Sequence, residues 1–321
     1  MVEFQSMPNH WTPLVLSREV GRRPVARVLD GVPVVCFRDA KGGAAVLVDR
    51  CPHRGAPLSR GRCSEEGELI CPFHAWRFDG AGRCVGTPFD GRARSSKMHA
   101  AALPNFEAGG LVWAYTGIAE EVPERPPLPV ALVDGRYRGR ALYRDWDAHW
   151  SRAIQTMLDV SHIPFVHPFT IGFALGRGIG RGEGFELNVD LQPRDGDAFH
   201  VEWAIRSEQG AGDAGWLTFL PPNGVIIPIP QSGAREWLLF IFCVPTEAGC
   251  SRQFVVPRRN FGARNPLLPL ADQLNATVLA EDRPNVEGAE PVEVPPPGEE
   301  ISVPSDAPTI AFQQYYHRTF R

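Results

Sequence analysis

Two short stretches decide the reading of this chain: CPHRGAPLSRG at Cys51–Gly61 and CPFHAWRFDGAGRC at Cys71–Cys84. Each opens with a cysteine and follows it within three residues by a histidine: Cys51 with His53, and Cys71 with His74. Two thiolates and two imidazoles on facing loops are a metal-binding set. A [2Fe–2S] centre that places both cysteines on one iron and both histidines on the other uses this composition. A Cys₂His₂ zinc site is the competing reading, although zinc modules usually pair Cys with Cys and His with His, whereas each pair here is mixed. The other cysteines, Cys36, Cys63, Cys84, Cys243 and Cys250, read as small core hydrophobes. Seven cysteines scattered over 321 residues do not form a secreted disulfide pattern.

Around these stretches the chain reads as short strands. Val25–Leu29, Val32–Phe37, Ala45–Val48, Leu69–Cys71, Trp76–Asp79 and Leu111–Tyr115 are β-rich, with turn signals at Asp30-Gly31 and Gly42-Gly43. The segment EEVPERPPLP at Glu120–Pro129 predicts a stiff linker. The spacing then predicts a helix over Asp147–His162 with an apolar stripe of Trp150, Ile154, Met157 and Leu158, ended by Pro164. A glycine-rich loop, Gly172–Gly184, follows; its Arg177 and Arg181 read as solvated charges, with a substrate carboxylate as the alternative partner. Strands are predicted at Phe199–Ile205, Trp216–Leu220, Val225–Pro228, Trp237–Val244 and Gln253–Val256. A helix near Leu267–Ala280 should present Leu267, Leu270, Leu274 and Val278 on one face and stop at Pro284. A last short helix should begin at Ser305 or Asp306. The fold class is therefore α+β: an N-terminal all-β domain over 1–118, a Pro-rich linker over 119–130, and an α+β domain over 131–321 with an antiparallel sheet flanked by helices.

A second constellation lies on the predicted helix: Gln155-x₃-Asp159-x₂-His162-x₄-His167. Helical spacing would place Gln155, Asp159 and His162 on one face, with His167 returning after Pro164. Two histidines and a carboxylate on one face of an iron leave neighbouring positions open for O₂ and substrate. The composition excludes other classes. A net charge of −4 offers no basic field for nucleic acid. No apolar run approaches the ~20 residues of a spanning helix, and the start of the chain lacks a secretory pattern, so the expected location is cytoplasmic. His10, His99, His200 and His317 have no partner motif and read as surface or satisfied core residues.

The two cysteine–histidine stretches resemble the Rieske signature, Cys-Pro-His-Arg-Gly…Cys-Pro-x-His-Gly-Trp-x-Phe-Asp, with Ala75 standing where the family usually has glycine. The extra cysteine that respiratory-chain Rieske proteins carry in the first loop would fall at Ala56 and is absent, which favours the oxygenase or ferredoxin type. The stretch from Gln155 to His167 is similar to the mononuclear-iron motif of Rieske non-haem iron oxygenases. That resemblance implies His162 and His167 as iron ligands. It also implies Asp159 as the carboxylate bridging an iron-site histidine to a Rieske histidine of a neighbouring subunit, with His74 as its partner. Glu281-Asp282-Arg283-Pro284 resembles the family's later Glu-Asp-(Arg/Lys)-Pro segment. Asp282 thereby takes the third ligand position, with Glu281 as understudy.

The implied cofactors are a [2Fe–2S] Rieske cluster and a mononuclear Fe(II), with NAD(P)H acting indirectly through a ferredoxin or flavin reductase partner. The implied assembly is a homotrimer. The segment Leu158–His167 is similar to that of vanillate and dicamba O-demethylases and toluenesulfonate methyl-monooxygenases. It implies a terminal oxygenase that hydroxylates a methyl, methoxy or N-methyl group of a small aromatic or cyclic substrate. A ring cis-dihydroxylating dioxygenase and a Rieske electron carrier without oxygenase activity are the alternatives.

Overall fold

The computed structural model describes residues 3–89, 97–117, 123–172, 185–207, 210–262, 265 and 267–321. It divides into two compact units, Met1–Leu128 with Val244–Ala248, and Pro129–Cys243 with Gly249–Arg321. Arg177 and Arg181 lie outside the described residues.

The first unit contains β1 (Trp11–Leu16), β2 (Val25–Leu29), β3 (Val32–Arg38), β4 (Ala44–Val48) and β5 (Arg62–Cys63). It continues with β6 (Leu69–Ile70), β7 (Arg77–Phe78), β8 (Cys84–Gly86), β9 (Asn105–Ala108) and β10 (Leu111–Tyr115). These form three sheets, ordered β1-β10-β9, β2-β3-β4 and β5-β6-β7-β8. Between β2 and β3 the two loop residues Asp30 and Gly31 both take positive φ, which a two-residue hairpin turn matched to strand twist requires. The N–H groups of that tip donate to Pro245 O and Thr246 O at 3.0 and 2.6 Å, and Val244–Ala248 consequently belongs to this unit despite its place in the sequence. Val35, Phe37, Leu47, Leu58, Leu69 and Phe78 build a core cluster that also includes Cys51 and Cys71. The two candidate cysteine ligands are thus part of the unit's buried core.

The second unit contains α1 (Val130–Val133), β11 (Leu142–Trp146), α2 (Trp150–Leu158), α3 (Ile163–Val166), β12 (Phe185–Pro193) and β13 (Phe199–Ser207). These are followed by β14 (Gly210–Leu220), β15 (Gly224–Pro228), β16 (Trp237–Pro245), β17 (Ser251–Arg259), α4 (Leu268–Glu287) and α5 (Ala307–Phe320). The strands make one seven-stranded sheet, β11-β17-β16-β15-β14-β13-β12. Each strand from β12 to β16 pairs antiparallel with the next, as hairpin connections demand. The helix stripe expected on α2 is buried: Trp150, Ile154, Met157 and Leu158 all face the core. Trp150 packs edge-on against Tyr316 and Phe320 of α5, each at 5.3 Å between ring centroids, so α5 is held to α2 by aromatic contacts. Among the described residues no helix is long and apolar enough to cross a membrane.

Three expectations are corrected. The helix α2 ends at Leu158, because Asp159 turns its carboxylate back on the chain. The Ser161 N–H and hydroxyl both donate to Asp159 Oδ1 at 2.7 Å, an Asx turn that replaces the next helical turn. Pro164 opens α3 and does not close α2, occupying a first-turn position where its missing N–H costs nothing. The helix α4 runs through Pro284 to Glu287. Ala280, whose carbonyl loses its partner there, and Pro284 both lie on the exposed side, where water can serve the freed group. The stripe predicted for that helix faces solvent: Leu267, Leu270 and Leu274 are 68%, 70% and 57% exposed. The buried face carries Asp272, Ala276, Leu279, Asp282 and Val286 instead.

Candidate metal centres

In the first unit the two loops are built alike. Cys51 N–H donates to Ala56 O, and Cys71 N–H donates to Trp76 O, both at 2.9 Å. The amides of Gly55 and Ala75 return to Cys51 O and Cys71 O at 2.9 and 3.1 Å. Both loops therefore close on the fifth residue through a residue at positive φ, +73° at Gly55 and +53° at Ala75. Burial pushes the Cys51 thiol up to about 11, opposed by the His53 and Arg54 backbone N–H groups and reinforced by the Cys71 sulfur beside it. The paired thiols are in the core, whereas His53 and His74 stand at a partly exposed rim with ring centroids 4.5 Å apart. His53 is stacked on Trp76 at 4.5 Å and 6°, which restricts its ring. A thiol pair inside and an imidazole pair outside suits a two-iron cluster that takes one pair on each iron.

The family's usual glycine at position 75 is explained by backbone conformation. An L-residue in the left-handed region costs roughly 1–2 kcal/mol, part of which is returned because alanine has less freedom than glycine in the unfolded chain. Ala75→Gly is accordingly expected to stabilise this unit by about 1 kcal/mol. The rise should be visible as a higher midpoint when loss of the cluster's visible absorbance is followed on heating. An unchanged or lower midpoint would show that Ala75 is not strained.

In the second unit the Asx turn at Asp159 leads directly into α3, whose single turn separates His162 from His167 and brings their rings to 5.2 Å at 65°. Their Nε2 atoms are 3.3 Å apart. Asp282 Oδ1, delivered by α4, lies 3.3 Å from His162 Nε2 and 3.0 Å from His167 Nε2. Among the described residues these three form a group able to hold one metal ion. Although two ring nitrogens lie this close, neither is aligned to donate to the buried Oδ1, which has no hydrogen-bond partner. All three donor atoms thus lie within 3.3 Å of one another. Atoms about 2.1 Å from one first-row metal ion and at right angles stand about 3 Å apart, so the donor set fits a metal.

Carboxylates face the opposite nitrogens. Asp159 Oδ2 is 3.6 Å from His162 Nδ1, and Glu281 Oε2 is 2.7 Å from His167 Nδ1. Burial pulls the His162 imidazole down, yet Asp159 and Asp282 together outweigh it and raise it to about 9. Burial works against ionisation of Asp282 as well, but its contacts with the two imidazoles hold it below the usual carboxylate range. In chelator-treated protein the raised imidazole favours folding below its ordinary pKa of about 6.5. That contribution is lost as pH rises through about 9. A divalent ion must displace the same proton. Its affinity is therefore expected to rise about tenfold per pH unit between pH 7 and 9, measured by Co(II) titration; a pH-independent affinity would contradict this picture.

Two family matches tile the sequence. Residues 10–106 match the Rieske [2Fe-2S] domain, and residues 146–321 match the vanillate O-demethylase oxygenase C-terminal domain. The chain belongs to the Rieske non-haem iron oxygenases. Similar curated proteins include the oxygenase component of dicamba O-demethylase from Stenotrophomonas maltophilia, 33% identical over 50% of this chain and 47% of that protein. The oxygenase subunit of 3-chlorobenzoate-3,4-dioxygenase from Comamonas testosteroni is 35% identical over 50% and 38%. These matches span less than half the length of either relative. Dicamba monooxygenase bound to 3,6-dichlorosalicylic acid shares the fold, with a TM-score of 0.77 at 22% identity over 99% of this chain and 98% of that one. Pseudomonas putida CBB5 NdmA with caffeine gives 0.77 at 23% identity over 96% and 89%.

In this Rieske oxygenase two further motif residues, Gln155 and Glu281, are placed by contacts outside the three-donor group. The amide of Gln155 is committed elsewhere: its Oε1 accepts from Arg152 Nη1 at 2.8 Å and its Nε2 donates to Glu300 Oε2 at 3.1 Å. It lines, with Asp159, His162, Asp282 and Asn285, a cavity of ≈170 Å³ beside the three donor atoms. Glu281 is not on the Nε2 side with Asp282; it meets the far nitrogen of His167. Thr170, which donates to the same Glu281 oxygen at 2.7 Å, carries no motif and was not identified from sequence. The only signal for either was the adjacency of Glu281 to a candidate ligand.

Proposed function

We propose that this chain is a terminal oxygenase that monooxygenates a methyl, methoxy or N-methyl group of a small aromatic or cyclic substrate. The convergence of His162 Nε2, His167 Nε2 and Asp282 Oδ1 carries the reading, because among the described residues only these three donors come together, and a metal held by three donors would keep positions open for O₂ and substrate. His162, His167 and Asp282 would hold a mononuclear iron; Cys51, Cys71, His53 and His74 would hold the [2Fe–2S] cluster. When bound, these groups supply one-electron transfer and O₂ activation. Overall, O₂, two electrons and two protons convert a methyl C–H bond to C–OH and release one water; a hydroxylated methoxy or N-methyl group then breaks its C–O or C–N bond to give formaldehyde and the free phenol or amine.

The protein's own residues set the conditions. Asp159 Oδ2 stands 3.6 Å from His162 Nδ1, a charge beside that nitrogen that favours its hydrogen and would leave Nε2 to ligate. The Asp159 side chain is about 30% exposed, which leaves the room for an imidazole from a neighbouring copy that a bridging role in a ring of three subunits would need. Electrons would come from NAD(P)H through a ferredoxin or flavin reductase. The match to a vanillate O-demethylase domain favours demethylation or methyl hydroxylation over ring dihydroxylation.

The test is to incubate the protein, a surrogate reductase and NADH with methoxybenzoates, methylbenzoates and N-methylated heterocycles, and to assay formaldehyde and products by mass. Formaldehyde or a benzylic alcohol supports the proposal. A cis-diol would assign the chain to the dioxygenases, and reduction of the cluster with no product from any substrate would favour an electron carrier.

A further inference from the structure

We propose that Glu281 is a positioning residue, which fixes the tautomer and the tilt of the His167 ring for the iron. The inference rests on the reading of His162, His167 and Asp282 as a metal centre. The His167 side chain is 2% exposed, so water does not serve its second nitrogen. That nitrogen, Nδ1, instead lies 2.7 Å from Glu281 Oε2. A carboxylate only accepts, so Nδ1 carries the hydrogen and Nε2 presents its lone pair toward Asp282 and His162.

The carboxylate is itself held. Thr170 Oγ1 donates to the same Oε2 at 2.7 Å, which stops Glu281 from swinging to solvent. The turn after α3 delivers Thr170: its N–H donates to His167 O at 3.2 Å, and Gly172 N–H donates to the same oxygen at 2.9 Å. Gly172 is required there, because a Cβ would stand 2.3 Å from Ile163 O. Glu281 and Asp282 are consecutive on α4 and about 100° apart around its axis. One helical step thus puts a carboxylate on the ligating nitrogen and another on the far nitrogen of the same ring. The equivalent contact on the other histidine, Asp159 to His162 Nδ1, is 3.6 Å. Glu281 makes the tighter of the two.

The experiment uses the whole 321-residue chain with its cluster intact, the mononuclear iron removed by chelator and Co(II) titrated back. Glu281→Ala is expected to weaken Co(II) binding by about 10- to 100-fold, the usual cost of losing such a partner. Glu281→Gln should recover most of this, since the amide oxygen still accepts from Nδ1–H and from Thr170. Thr170→Val should shift the Co(II) visible bands with no change in thermal midpoint, a readout that a merely structural role would not move. Wild-type affinity in Glu281→Ala, a Gln variant no better than Ala, or Co(II) bands unmoved in Thr170→Val would each overturn the proposal. Failure of the underlying reading looks different: His162→Ala would then bind Co(II) as tightly as wild type.

Discussion

Substitution of His162 by alanine is expected to lower iron from about three to about two per chain, leave two sulfides, and abolish oxygenation. His162 supplies one of the three donor atoms that, among the described residues, come together at the candidate iron position. Among the described residues no fourth His, Cys, Asp or Glu joins that group. Gln155 lines the neighbouring cavity but cannot step in without breaking its bonds to Arg152 and Glu300. The truncation itself is mild, because His162 is the N-cap of a one-turn helix and caps it with no side-chain bond. The Rieske EPR signal should therefore persist at full intensity. Iron and sulfide analysis beside EPR on anaerobically purified protein decides the matter. A variant that keeps three irons, or that turns over at the wild-type rate, would remove His162 from the site.

Asp159→Asn is expected to keep all three irons while slowing product formation by about 100-fold or more. Asparagine reproduces the Asx turn, because its Oδ1 still accepts from the Ser161 N–H and hydroxyl. The change falls on the other atom. Where Oδ2 now faces His162 Nδ1 at 3.6 Å, the variant would present an amide N–H, and two donors would oppose each other. With Nε2 committed to the metal the hydrogen stays on Nδ1, so the contact opens. The carboxylate charge that would join two imidazoles across a subunit boundary is lost as well. Single-turnover measurements starting from reduced cluster separate these effects from substrate binding. A normal rate would refute the bridging role, and loss of one iron would show that Asp159 serves the metal and not electron transfer.

How far these residues were legible depends on how locally they are arranged. Cys51 with His53 and Cys71 with His74 are readable because each pair sits in one short loop, and the loop's own backbone bonds orient it. His162 and His167 are likewise five residues apart across one turn, so their spacing nearly specifies their meeting. Even there the reason given by periodicity was incomplete. Asp159 ends α2 and does not continue it, since a short acidic side chain can take a backbone N–H that the helix needs. Asp282 carried no local signal of its own and was assigned only through family resemblance, which the geometry joins to the two histidines.

By itself the sequence marked Cys51, His53, Cys71, His74, His162 and His167 as candidate ligands, the strand-rich first unit, the aromatic anchor at Trp150 and the strands of the second unit from Phe199 onward, because these follow from residue type and short-range spacing. Tertiary structure alone decided how α4 is rotated. Periodicity shows that a helix has an apolar side, but not which side the rest of the molecule covers. Here the buried pair of Arg259 and Asp272, 2.5 Å apart, and the Arg140 N–H donating to the same carboxylate tie α4 to its neighbours through a charged residue. That tie leaves Leu270 and Leu274 outside and turns Asp282 inward. It also sets Glu281 against the far side of His167, a contact between residues 114 positions apart that no local spacing encodes.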